Sequence, residues 1–137
     1  MKGLNNEEYS NYYVKKELGK EASEKSVKYN VEIEDIGRWS ICSDDIWIIR
    51  SNGIYSEILF KYNDELVCLT ERKTMQKWMD ELNTFGFFMA RRGCIVNSEH
   101  VLDIQGNNIL IQKELFIPIP KGRKRFIKQM YYDAIKC

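Results

Sequence analysis

Residues 87–105 read FFMARRGCIVNSEHVLDIQ, and this order of residues decides how the rest of the chain is read. An apolar run ends at two adjacent arginines, Arg91 and Arg92, and a Gly93-Cys94-Ile95-Val96-Asn97 segment follows. Apolar Val101 and Ile104 resume after the polar stretch NSEH. A cationic pair between two strand-like apolar runs puts positive charge at a strand end or loop, where it can meet phosphate.

Outward from this stretch the chain keeps the rhythm of an antiparallel β domain. Val27, Tyr29, Val31 and Ile33 alternate onto one face, Trp39 and Ile41 continue the pattern, and Ile46 to Ile49 form an apolar run. Residues 54–62 and 65–70 bracket Asn63-Asp64, a hairpin turn signal, and Gly106-Asn107 does the same between VLDIQ and NILIQ. One helix interrupts the rhythm: Met75, Trp78, Met79 and Leu82 recur at i, i+3, i+4 and i+7, a stripe read as core contact. Pro118 and Pro120 remove donors along one side of their segment, while Ile117 and Ile119 keep theirs. That segment is expected at a sheet edge. After it, Phe126, Ile127, Met130, Tyr131, Ala134 and Ile135 repeat with helical period, and a C-terminal helix docked on the sheet is expected.

The first residues read differently. NNEEYSNYYVKKELGKEASEK at 5–25 is helix-prone, with Tyr9, Tyr12 and Tyr13 at i, i+3 and i+4, but the apolar face fades and Gly19 interrupts it. Residues 1–26 are therefore expected to form a separate N-terminal arm and residues 27–137 the β domain. Deleting the arm is expected to leave that domain folded.

A chain of 137 residues is enough for one domain with a sizeable core. Apolar residues at 44 % and charged residues at 30 % favour a globular chain over a disordered one. The formal net charge of +1 decides nothing about partners, but the distribution does. Acids dominate residues 1–45, whereas Lys113, Lys121, Arg123, Lys124, Arg125, Lys128 and Lys136 crowd the C-terminal segment, which can present a local nucleic-acid surface. The cysteines at 42, 68, 94 and 137 form no C-x-x-C pair, and three sit in apolar strand-like runs. Cys42, Cys68 and Cys94 are expected to be reduced and largely buried, in a cytoplasmic protein without a membrane span.

Catalysis finds little support. His100 stands alone without a nearby nucleophile, and no G-x-S-x-G, H-E-x-x-H or Gly-rich phosphate loop is present. Asp44 and Asp45 are adjacent, and adjacent residues on a strand point to opposite faces. No cofactor or metal is implied. The KGRKR run at 121–125 admits two readings: a solvated helix start, or a phosphate contact. Cations at a helix N-terminus oppose the macrodipole, a cost that phosphate binding offsets.

The central motif resembles that of the LytTR family of bacterial DNA-binding domains. Phe87, Arg92, Ile95, Val96 and Asn97 match its Phe-x-Arg-x-His-Arg-Ser, apolar, Val-Asn pattern. Met89, Arg91 and Gly93 stand where Arg, His and Ser are more usual. Asp45-Ile46, Trp47-Ile48-Ile49 and Ser51-Asn52-Gly53-Ile54-Tyr55 resemble the family's entry block, and Ile117-Pro118-Ile119-Pro120-Lys121 its closing one. The three blocks stand in the family's order and cover residues 27–133.

The resemblance implies a mainly β fold: elongated and antiparallel, with several sheets, one internal helix and a C-terminal helix. It also implies sequence-specific binding of double-stranded DNA by loops, as a transcription regulator. The implied contacts are Asn52, Tyr55 and Ser56 after the polar turn, Arg91 and Arg92 in the central motif, and Lys121 with Arg123, Lys124 and Arg125 after the closing strand. Lys121 keeps charge but loses the bidentate fork of arginine, and Gly93 and Pro120 lack the family's hydroxyl donors. An arm of about 26 residues is too short for the receiver domain many members carry, so a stand-alone regulator is expected, an excised piece being the alternative. The chief rival is a protein-interaction module of the same fold that pairs with another regulator without reading DNA. Its arm tyrosines would serve docking. A homodimer is open under either reading.

Overall fold

The computed structural model describes residues 10–112 and 115–135. Eleven strands and two helices follow one another: β1 Ser10–Ala22, β2 Val27–Ile33, β3 Gly37–Cys42, β4 Ile46–Asn52, β5 Tyr55–Tyr62, β6 Glu65–Glu71, α1 Met75–Leu82, β7 Phe87–Arg91, β8 Cys94–Asn97, β9 Val101–Gln105, β10 Asn108–Ile111, β11 Leu115–Pro118 and α2 Lys124–Ile135. The fold is mainly β with a small helical share, as expected. Eight strands form one sheet in the order β3-β2-β1-β6-β5-β4-β8-β7, and β11-β10-β9 form a second. Pairing is antiparallel except between β1 and β6, which run parallel.

Both faces of the central strands are buried, which explains why β4 reads as a continuous apolar run rather than an alternation. A register irregularity between Ile46 and Ile48 lets Trp47 and Ile48 serve one core while Ile46 and Ile49 serve the other. The first core fills the space between the large sheet, the small sheet and α2, with Ile109, Ile111, Leu115, Ile117 and Ile127 at its centre. The second lies between β1–β3, the central strands and α1, with Val31, Ile33, Ile58, Leu69, Trp78 and Leu82.

The large sheet curls over this second core. Trp39 on β3 meets Phe60 on β5 at a ring-centroid distance of 5.8 Å, although β5 is the fourth strand along from β3. In a flat sheet four strand spacings would separate them by about 19 Å.

The helix-prone arm is the chief correction. Residues 10–22 form β1, which pairs with β6 over Ser10–Tyr13 and then with β2 from Val14 to Ala22. It lies inside the sheet, not outside the domain. Tertiary pairing overrides the local preference of the KKELGKEASEK stretch. Gly19, read as a helix breaker, sits at a register irregularity of the strand with φ +151°, a conformation that favours glycine. Tyr12 packs edge-on against Trp39 rather than standing free, whereas Tyr13 is exposed. Tyr9 lies outside the described residues.

The turn, internal-helix and edge-strand expectations stand, while the burial expected of the C-terminal helix stripe and of the cysteines is met only in part. Asn63 and Asp64 both take positive φ (49° and 63°), the pairing a type I′ hairpin turn needs, and Gly106 turns β9 into β10. Thr74 caps α1 by accepting from the Lys77 N–H at 3.1 Å, and Trp78 and Leu82 face inward. β11 is an edge strand, and Ile119 N–H donates to Asn107 O at 2.7 Å. Helix α2 buries Ile127 and Ala134 and packs Met130 and Tyr131, but Phe126 and Ile135 point to solvent. Cys42, Cys68 and Cys94 are free thiols; Cys68 and Cys94 are buried and Cys42 half-buried. Burial pushes the Cys68 thiol up to about 12 and the Cys94 thiol to about 11. Cys137 lies outside the described residues. No described helix is long and apolar enough to cross a membrane.

Candidate nucleic-acid interface

Strand direction brings the basic segments to one end of the large sheet. β4 runs antiparallel to β8 with Arg50 opposite Cys94, and β8 runs antiparallel to β7 with Cys94 opposite Arg91. The 52–55 turn and the Arg92-Gly93 turn therefore emerge side by side. A hydrogen bond from Ser51 N–H to Gly93 O, at 2.8 Å, ties them together. Gly93 takes φ +76°, and a Cβ there would collide with Ser51 Oγ. The glycine is thus required by a close approach as well as by its backbone conformation.

Arg91 and Arg92 are exposed at this turn. Beside them lies Arg50, which the sequence reading did not single out. Its Nε donates to Glu57 Oε1 at 2.6 Å, and Asn52 Nδ2 donates to Glu57 Oε2 at 3.3 Å. The carboxylate thus fixes the side chains flanking the 52–55 turn. Arg50, Arg91 and Arg92 line one side of a cleft of about 410 Å³, whose other side is Phe116, Ile117 and Pro118. A charged residue directly after the Trp47–Ile49 run, with an acid opposite it across a hairpin, was the signal for Arg50.

Helix α2 brings the third segment. The Gly86 Cα faces the Ala134 carbonyl, and Phe88 and Tyr131 contact each other at 6.2 Å between centroids, so α2 runs antiparallel to β7. Three further strand residues, Phe88 to Arg91, advance about 10 Å. Seven helical residues, Tyr131 back to Lys124, advance about the same. The basic start of α2 is therefore directed toward the Arg91 end of the sheet. A turn closed by Arg123 N–H to Pro120 O at 3.0 Å, with Gly122 at φ +79°, leads into it. Lys121, Arg123 and Arg125 are exposed, Lys124 is half-buried, and the Arg123 guanidinium lies over the Phe126 ring at 4.7 Å.

Of the residues around the polar turn, Asn52 and Tyr55 are exposed. Ser56 is not. It is fully buried, accepts from the Trp78 indole N–H at 2.8 Å and donates to Glu71 O at 3.2 Å. Strand alternation turns Ser56 inward where Tyr55 turns outward, so it serves the second core and is withdrawn as a contact residue.

His100 has both ring nitrogens engaged, one with Asp44 O and one with the Gln112 side chain, and its ring lies against Trp47. It joins the small sheet to the turn that opens β4.

A second polar cluster sits under α1. The Lys73 ammonium lies over the Trp78 ring at 3.8 Å and pairs with Glu81 at 2.7 Å. Glu81 also receives Lys20 at 2.6 Å and the Tyr29 hydroxyl at 2.9 Å. Burial alone would raise the Glu81 carboxyl, but the hydrogen bonds from Lys20 and Lys73 hold it below the ordinary carboxylate range. Glu71 is pushed up to about 7 by burial, with Lys73 opposing. The cluster fastens β1 to α1 through the hydrogen bonds that Lys20, Tyr29 and Lys73 donate to Glu81. Compared with known proteins, the sequence matches no family model and no curated protein.

Proposed function

We propose that the protein binds double-stranded DNA as a transcription regulator of LytTR type, through the end of the large sheet where its basic turns meet. The observation that carries this reading is the convergence of Arg50, Arg91 and Arg92 with the basic start of α2. Strand direction sets the 52–55 and Arg92-Gly93 turns side by side, and the packing of α2 on β7 points its basic start toward the same end. Such a cluster neutralises phosphates and sets the register of the protein on the duplex, and exposed side chains on the flanking turns read base edges. Arg91 and Arg92 supply planar forks suited to guanine, with Asn52 and Tyr55 on the adjacent turn. The N-terminus of α2 adds a partial positive charge behind Lys121 and Arg123. Free thiols and the absence of a long apolar helix among the described residues fit a reducing cytoplasm.

Selection from random duplex DNA, followed by titration on the selected and scrambled duplexes, tests the proposal. A recovered motif bound more tightly than the scrambled duplex supports it. Failure to bind any duplex at low salt rejects it in favour of the protein-interaction reading.

A further inference from the structure

At the opposite end of β5 from the basic turns, the curled sheet opens into a pocket of about 440 Å³ walled by Tyr12, Trp39 and Tyr62, with Arg38 and Glu65 at its rim. Trp39 stands at the centre of the rings. Tyr12 meets it at 5.7 Å and 76°, and Tyr62 at 4.7 Å and 78°. Three aromatic side chains thus line one space, and the ring faces not covered by these edge-on contacts offer negative potential to a cation. The rings are not sealed away: Tyr62 is 45 % exposed. Among the described residues neither Arg38 nor Glu65 has an ion-pair partner, and no hydrogen bond engages the Trp39 indole N–H. The volume lies within the range of small-molecule sites, which recur at the mouths of curled sheets and barrels.

We propose that this pocket binds a quaternary-ammonium compound. The methylated nitrogen sits against Trp39, Tyr12 and Tyr62, and the Glu65 carboxylate supplies the opposite charge. Arg38, on the other rim, selects for ligands that also carry a carboxylate. A soft, weakly hydrated cation suits the site better than an ammonium with N–H donors, because the walls offer ring faces rather than a dense set of acceptors. The site is about 24 Å along β5 from the basic turns, so it does not depend on the DNA-binding reading.

Calorimetric titration of the full chain tests the proposal with three probes: choline, trimethylglycine, and 3,3-dimethylbutan-1-ol, the neutral carbon analogue of choline. Choline and trimethylglycine should bind, and the neutral analogue should bind about tenfold more weakly or not at all. Glu65→Gln should weaken choline several-fold without moving the thermal transition, and Tyr62→Leu, which also removes a ring contact to Trp39, should weaken it several-fold when measured where the variant is fully folded. Arg38→Gln should weaken trimethylglycine and leave choline unchanged. Equal binding of the neutral analogue would show an apolar pocket rather than a cation site. No binding of either cation, with the indole N–H resonance of Trp39 unmoved, would overturn the proposal outright.

Discussion

The Trp39 and Tyr62 rings meet at 4.7 Å and 78°, although they stand on strands four places apart in the sheet. This contact, with Trp39 against Phe60 and Tyr12, holds the curl that encloses the second core. Replacing Trp39 by Ala removes three ring contacts from a half-buried position. It should destabilise the protein by about 2–4 kcal/mol, toward the lower part of the range for a fully buried aromatic. Urea unfolding should show the midpoint falling; a midpoint unchanged within error would mean that the curl is held elsewhere.

Strand β1 joins β2 to β6 and carries Lys20 to Glu81. Removing residues 1–22 should therefore abolish the cooperative thermal transition, or leave a species lacking near-ultraviolet signals from Trp39 and Trp78. A truncated protein that melts as cooperatively as the full chain would restore the idea of a dispensable arm.

Ser56 and Gly93 separate structure from recognition. Ser56→Ala leaves the buried Trp78 indole N–H without its acceptor and should cost about 1–3 kcal/mol of stability. Affinity for DNA, measured where the variant is fully folded, should be unchanged. Gly93→Ala combines a positive φ with a collision at Ser51 and should cost at least about 1 kcal/mol; adding Ser51→Gly should recover part of that loss.

Glu71 makes a prediction in pH. Its folded pKa, raised to about 7 chiefly by burial, lies above the ordinary carboxyl value of 4.5. The folded state therefore holds a proton that the unfolded state releases between these values. Stability should fall as pH rises through that window, by at most about 1.4 kcal/mol per pH unit from this group. Glu81, held below its ordinary value, acts in the opposite sense and only at lower pH. Lys73, Glu17 and Lys77 surround Glu71 and are common to both proteins being compared. Stability profiles of the wild type and Glu71→Gln should therefore converge near pH 4 and diverge by pH 8, with the variant the more stable. Parallel profiles would show that Glu71 ionises normally.

Much of the fold was legible because its signals are local. The Asn63-Asp64 turn, the Met75–Leu82 helix and the two prolines in and just after the last strand carry their conformations in a few residues. Residues 10–22 were not legible, because their strand state depends on partners at Val27–Ile33 and Val67–Thr70, and the local composition favours a helix. Both tyrosines at 12 and 13 were visible, but only pairing decides which faces Trp39. The arginine turn could be read as a charged strand end, while Arg50 escaped notice because it looks like an ordinary strand terminus. Ser56 was misjudged by one residue of alternation, which is enough to turn a side chain from solvent into the core.

The central claim is tested most directly by fluorescence anisotropy on a selected duplex and its scrambled counterpart, across several salt concentrations, for wild type and five single variants. Lys124→Ala and Arg125→Ala should weaken both duplexes alike and reduce the log–log salt slope by about one unit each. Lys121→Ala and at least one of Arg91→Ala and Arg92→Ala should cost about 1–3 kcal/mol on the selected duplex and little on the scrambled one. No duplex binding by the wild type at low salt, or affinity and slope indifferent to every one of these cations, would contradict the account.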